Sequence, residues 1–371
     1  MVDFAGERAI ACGHGVAAQV ADAVLEISRE VVVMTGAHPA RHRWLLDSID
    51  ARVLTVEGEP TVAGLERMRN AVREKPVGVI VAIGGGAVLD MAKGAAALLT
   101  EPRPAADFFV DDAPDFTPKL PVIAVPTTNG SGSEVTMNAV FEVPERKIKL
   151  SLRHPGMRPV RAFVDPDLSR SAPDDIFFAS ALDALTHCGE AYLSAGATPT
   201  SDRFARAGLA LAARAIPALL ANRDDAAALD MAQASVLGGL ALRHGGLGIA
   251  HGIAAVLGAR GGPGHGTICA RLMPATLVCN AHHAPARCLE MAQVIAGSGA
   301  SVEQAAMVLQ GWAEAAGLSR LGDVAVSDWG AVAEAAVTAS SSLKNPARLN
   351  KAQIAALLED AMEREARHVA A

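Results

Sequence analysis

The chain has 371 residues, of which 51% are hydrophobic, enough for two separate cores rather than one. Lys and Arg total 33 against 40 Asp and Glu, a net charge of −7 with no basic block, which argues against a nucleic-acid surface and against adhesion to a membrane. The five cysteines, Cys12, Cys188, Cys269, Cys279 and Cys288, are scattered and form no C-x-x-C pair, so they read as reduced thiols of a cytoplasmic protein and not as a disulfide framework or a cysteine-based zinc site.

Asp3, Glu7 and Arg8 stand where a signal peptide needs an apolar core, and no uninterrupted apolar run approaches the length of a membrane span. From Arg8 to about Val110 helical patterns alternate with short β-branched runs: Val31 to Met34, Val53 to Val56 and Val77 to Val81. Runs that are apolar throughout suit strands of a parallel sheet covered on both faces, and the patterns over Val16 to Ile27 and Thr61 to Glu74 supply crossover helices. The fold class expected is a doubly wound, Rossmann-like α/β domain over residues 1–168, followed by an all-α domain over residues 169–371.

The Val77 run leads into Gly84-Gly85-Gly86-Ala87-Val88-Leu89-Asp90-Met91-Ala92-Lys93, a glycine cluster that opens a helix. Without Cβ atoms the backbone can approach a ligand closely, and the helix start offers N–H groups to an anion, so this stretch reads as a phosphate cradle. The bland alternative is a plain strand-to-helix turn. A further buried run, Pro121 to Val125, ends in Pro126-Thr127-Thr128-Asn129-Gly130-Ser131-Gly132-Ser133-Glu134, whose hydroxyls and glycines can reach a ribose or phosphate at the carboxyl end of a strand. Lys149, in the run Arg146 to Lys149, either balances cofactor phosphates or is simply solvated.

After Phe163-Val164-Asp165-Pro166 the texture turns Ala- and Leu-rich with helical periodicity, and Lys351 to Ala371 reads as an amphipathic closing helix. Inside an apolar helical run, Asp183 and His187 lie one turn apart and share a face. His251 sits in a second apolar helix and His265 at the start of the next, after the loop Arg260-Gly261-Gly262-Pro263-Gly264. One carboxylate and three imidazoles suit a divalent transition metal better than Mg(II) or Ca(II). Fe(II) is favoured over Zn(II), because four protein ligands leave room for substrate only if the coordination number rises.

Five segments together resemble the iron-dependent (group III) alcohol dehydrogenases, within the dehydroquinate synthase-like superfamily, over about residues 8–350. GGGAVLDMAK at 84–93 is similar to that family's GGGSxxDxAK, PTTNGSGSEVT at 126–136 to PTTxGTGSEVT, and DALTHCGEAY at 183–192 to DALTHAxEAY. IAHGIAAVLG at 249–258 and GPGHG at 262–266 resemble H-x-x-x-H-x-L-G and P-H-G. The resemblance implies an NAD(P)-linked oxidoreductase acting on a small alcohol or aldehyde, with Asp183, His187, His251 and His265 as metal ligands. It implies cofactor contacts at Gly84, Gly85, Gly86, Asp90, Thr127, Thr128, Ser133 and Lys149, a site in the cleft between two domains, and a homo-oligomer, often a dimer.

Three positions depart from the pattern. Ala255 replaces the second histidine of H-x-x-x-H, a residue implicated in proton relay in relatives. Arg260, Gly261 and Gly262 replace aromatic residues, which implies a roomier, more polar pocket in which Arg260 either meets an anionic group of the substrate or faces solvent. Gly36 stands after the second strand, where an acidic residue would select NAD; with Arg41 and Arg43 nearby, both NAD and NADP are allowed. The alternatives are a maleylacetate-reductase-like keto-acid reductase and a dehydroquinate-synthase-like lyase.

Overall fold

The computed structural model describes residues 4, 7, 9–324, 326 and 328–369; the N-terminal reading placed on Asp3 and Arg8, and residues 370–371 of the closing segment, lie outside the described residues. The chain divides into two compact units, Met1–Ser171 and Ala172–Ala371.

The first unit runs β1 (Ile10–Cys12), α1 (Val20–Leu25), β2 (Val31–Thr35), α2 (Arg43–Leu46), β3 (Ala51–Thr55), α3 (Val62–Arg73), β4 (Val79–Gly84), α4 (Gly86–Ala97), β5 (Val122–Pro126), β6 (Asn138–Val143), β7 (Ile148–Arg153), β8 (Arg161–Val164) and α5 (Pro166–Ser169). Six strands form one parallel sheet in the order β1-β8-β5-β4-β2-β3. Their apolar runs are explained by the two-residue period of a strand. Val31, Val33, Val79, Val81 and Ile83 pack on one face with Val20, Val24 and Leu45, while Val32, Met34, Ile80 and Ala82 pack on the other with Leu65, Leu89 and Ala92. β3 departs from the expectation of burial on both faces: it is an edge strand, and Val53 is 37% exposed.

The chain runs outward from β2 to β3, then returns to place β4 on the other side of β2 and continues to β5 and β8. β2 and β4 therefore flank the point where the winding reverses, the place at which open α/β sheets bind ligands beyond their carboxyl ends. Among the described strands β1 pairs with β8 alone, with Ile10 opposite Ala162. β6 and β7 form a separate antiparallel hairpin.

The second unit runs α6 (Asp174–Leu193), α7 (Pro199–Ala221), α8 (Asp225–Gly245), α9 (Ile249–Gly258), α10 (His265–Ala281), α11 (Pro285–Ala296), α12 (Val302–Ala315), α13 (Trp329–Val337) and α14 (Lys351–Val369). α6, α7 and α8 pack together, and a second cluster joins Ile253 and Leu257 of α9 to Ile268 and Leu272 of α10, Val332 of α13 and Ile354 and Leu358 of α14. Among the described residues α7 is the single continuous helix long and apolar enough to cross a membrane. It carries Asp202, Arg203, Arg206 and Arg214 and buries Phe204, Leu209, Ile216 and Leu219, the pattern of an amphipathic core helix.

Within the first unit Glu134 is 2% exposed, and burial pushes its carboxyl from 4.5 up to about 7, with its own backbone N–H and Lys93 opposing and Asp90 adding. The folded state therefore holds this proton more tightly than the unfolded chain does. Stability is fully present below pH 4.5 and declines as pH rises through 7, by about 3 kcal/mol in all. Glu134→Gln is expected to remove that decline, so urea unfolding of the two proteins should diverge between pH 5 and pH 8. Parallel pH profiles would show that Glu134 is ionised throughout.

Candidate functional site

At the carboxyl ends of β4 and β5, Gly84 pairs in register with Pro126, and the Thr127 N–H donates to the Gly84 carbonyl at 2.9 Å. The glycine cluster and the Thr127-Thr128 turn therefore lie side by side. The three glycines differ in what a side chain would meet. A Cβ at Gly84 would fall 2.6 Å from Val88, and one at Gly86 would fall 2.8 Å from Ser131, so both glycines are required by packing. A Cβ at Gly85 would meet only Thr128, at an ordinary 3.5 Å. Gly85 caps the twelve-residue α4 without any side-chain cap, so the space above the helix start suits an anion. A Cβ at Gly36, directly after β2, would meet nothing within 4 Å.

Three other residues of the expected cofactor set are engaged within the protein. Asp90 accepts from the Ser133 hydroxyl at 2.5 Å and from the Val140 N–H at 2.8 Å, and it lies 3.3 Å from the Lys93 ammonium. Lys93 is buried and donates to the carbonyls of Ser133 and Asn138 and to the Thr136 hydroxyl. Asp90 and Ser133 thus hold the loop 127–136 against α4. Lys149 is paired with Glu59 at 2.8 Å, and Glu142 stands opposite it in the hairpin.

The second unit assembles a different set. Asp183 and His187 occupy α6, His251 occupies α9 and His265 opens α10. Ligand atoms of Asp183, His251, His265 and Cys269 all lie within 4.8 Å of one another. Asp183 Oδ1 and His251 Nε2 are 3.4 Å apart, yet both are buried atoms that complete no hydrogen bond. Orphaned buried donors and acceptors are costly, and two facing one point fit a cation that both could hold. His187 lies outside this four-residue group; its ring stacks on that of His251 with centroids 4.5 Å apart. Cys269 enters instead, one helical turn beyond His265, with Sγ 3.7 Å from His265 Nε2.

Burial alone would raise the Asp183 carboxyl, but the charges of His187, His265 and His251, with the His251 contact, hold it far below the usual range. Burial also works against a charged His251 ring, which is nevertheless held well above its ordinary pKa. A Cys269 thiolate would support that charge, but burial pushes the thiol up to about 12, so near neutrality the support comes from Asp183 and Glu190.

Glu190 is the functional residue that spacing alone left unmarked. It is 1% exposed and accepts the backbone N–H groups of Gly248, Ala250 and His251 at 3.0, 2.7 and 3.3 Å. Its Oε2 also lies 2.7 Å from His251 Nδ1. The carboxylate of α6 therefore caps α9, whose own cap position, Gly248, carries no side chain. A Cβ there would fall 2.8 Å from Glu190 Oε1. Binding Nδ1 leaves Nε2 as the imidazole's free donor atom, the usual arrangement behind a metal-bound histidine. Gly266 serves a similar close approach, since its Cβ would fall 2.5 Å from the Ala179 carbonyl, where α10 meets α6 beside Asp183.

The family described as iron-containing alcohol dehydrogenase matches residues 8–166, and the C-terminal family of Fe-containing alcohol dehydrogenases matches residues 177–362. The chain is 34% identical to a probable alcohol dehydrogenase, EutG, of Salmonella typhimurium, over 60% of this chain and 56% of that protein, so the match spans little more than half of that relative. It is 31% identical to EutG of Escherichia coli over 81% of this chain and 77% of the relative. The crystal structure of a 1,3-propanediol oxidoreductase superposes with a TM-score of 0.88 at 26% identity, over 97% of this chain and 100% of that one. The chain belongs to the iron-containing alcohol dehydrogenase family.

Proposed function

We propose that this chain is a metal-dependent, NAD(P)-linked alcohol dehydrogenase or aldehyde reductase whose substrate is a small polar or anionic alcohol or carbonyl compound. The observation that carries the reading is the pair of buried, unsatisfied atoms, Asp183 Oδ1 and His251 Nε2, gathered with His265 within 4.8 Å. When bound, a divalent transition metal supplies Lewis acidity toward the substrate oxygen and NAD(P) supplies or takes the hydride.

The chain's own residues do the rest. Asp183, His251 and His265 hold the metal, with His187 against His251, and Glu190 fixes the tautomer and direction of the His251 ring. Gly85 and the start of α4 receive the pyrophosphate, and Thr127 and Thr128 lie beside it. Gly36 puts no carboxylate directly after β2, where one would repel a 2′-phosphate, and this admits NADP as well as NAD. Ala255 carries no proton, so the relay available to relatives with histidine at that position does not run through this residue.

Arg260 supports the anionic side of the substrate class. Its Nη1 is buried and has no hydrogen-bond partner, a donor suited to a carboxylate, sulfonate or phosphonate. The propanediol enzyme's name adds a short polyol as the neutral counterpart.

The test is oxidation of NADH and NADPH against short neutral, hydroxylated and anionic aldehydes, before and after chelation. We expect turnover that chelation abolishes and a divalent metal restores, with a preference for anionic aldehydes that is lost in Arg260→Ala. Full turnover by metal-free protein would instead favour the keto-acid reductase, and NAD binding without net turnover the lyase.

Gly85→Val tests the cradle by itself. Gly85 has an extended backbone that valine can adopt, and a Cβ there meets only Thr128 at ordinary contact distance, so the fold should be retained while the added methyl groups intrude on the phosphate position. NAD(P) affinity should fall at least about tenfold, roughly 1.4 kcal/mol. Unchanged affinity would place the phosphates elsewhere.

A further inference from the structure

We propose that the Cys269 sulfur is itself a ligand of the divalent metal and biases the choice of ion toward zinc. The inference rests on the metal site proposed above and adds a donor to it.

Three observations lead there. His265 and Cys269 are four residues apart on α10, so both side chains project from one face, the same device that brings Asp183 and His187 together on α6. Cys269 is fully buried, with Sγ 3.7 Å from His265 Nε2 and within 4.8 Å of ligand atoms of Asp183 and His251. Independently of the sulfur, Asp183 and His251, both more than nine-tenths buried, each present an unsatisfied atom to the same space. Asp183, His251, His265 and Cys269 thus make an O, N, N, S set. A thiolate in such a set suits zinc, which takes Cys, His and carboxylate donors together, better than it suits an ion preferring nitrogen and oxygen alone. As the sulfur–metal bond forms, the S–H bond breaks and its proton leaves to solvent; no electron is transferred, so no oxidant or reductant is needed.

The experiment is an anaerobic titration of the metal-free full chain with Co(II), read by absorption. A sulfur ligand gives an intense near-ultraviolet sulfur-to-cobalt charge-transfer band, whereas oxygen and nitrogen ligands give only weak visible bands. We expect the intense band in the wild type, its loss in Cys269→Ser with the weak visible bands retained, and a drop on the order of tenfold in zinc affinity relative to iron for the variant. Cys269→Ala, which adds no polar atom to the core, should give the same spectrum. Weak visible bands without the intense band in the wild type would overturn the sulfur ligand and leave the metal site standing. An intense band that persists in both variants would also overturn it. Failure of the wild type to bind Co(II), Zn(II) or Fe(II) at all would overturn the metal site and this inference with it.

Discussion

Asp183→Ala is expected to yield a folded protein that holds no metal and has lost at least about 10³-fold in turnover, as befits the removal of several kcal/mol of charge stabilisation. Folding should survive because Asp183 Oδ1 completes no hydrogen bond within the protein, and the His251 ring it faces at 3.4 Å remains held by Glu190. NAD(P) affinity should survive as well, since every residue of the cradle belongs to the first unit. Two readouts beside turnover decide the matter. Metal per chain after gel filtration should fall from about one to none. Thermal unfolding should separate the proteins: at a metal concentration a hundred times its Kd, the wild type gains about 2.7 kcal/mol and the variant gains nothing. A variant that turned over fully while empty of metal would end the assignment of Asp183.

Glu190→Gln is expected to be strongly destabilising. One carboxylate satisfies three N–H groups at the start of α9 and the Nδ1 of His251. An amide can accept through only one of its two positions and brings N–H groups against donors, so several buried groups lose their partner at once. The expected cost is about 3–5 kcal/mol, read as a fall in the urea midpoint. Metal affinity should drop roughly 10- to 100-fold, because the His251 ring is no longer fixed. The two readouts are separable. A large loss of stability with unchanged metal affinity would mean that Glu190 only caps α9 and does not orient the imidazole.

Much of this organisation is legible in the residues alone, for reasons that differ from place to place. The runs Val31 to Met34 and Val77 to Val81 identify doubly covered strands because both faces of β2 and β4 are buried. Val53 to Val56 carries a similar composition yet forms the edge, since the order of strands is not written in any one of them. The Asp183 and His187 spacing reads directly as one helix face. The spacing of His265 and Cys269 is the same, but a cysteine in an apolar helix looks like packing until His265 and Asp183 are brought beside it. Asp90 and Ser133 are conspicuous in their motifs, and the structure spends both on each other. That pairing joins residues far apart in sequence and leaves no local signal. Glu190 is likewise a buried acid whose partners are backbone groups of another helix, which no pattern of side chains announces.

The pairing of β1 with β8 has a consequence for synthesis. Among the described strands β1 is made before the others, and its partner, β8, is nearly the last element of its unit to appear, with Ile10 waiting for Ala162. Until β8 emerges, the flank of β5 that β8 will cover is an open edge, and the apolar Ile10 has no sheet to join. A nascent chain stalled in this interval would present an unpaired parallel edge, the kind of surface that recruits other chains. The first unit is thus closed by a long-range, end-to-end contact, which slows its completion relative to the local helix pairs of the second unit.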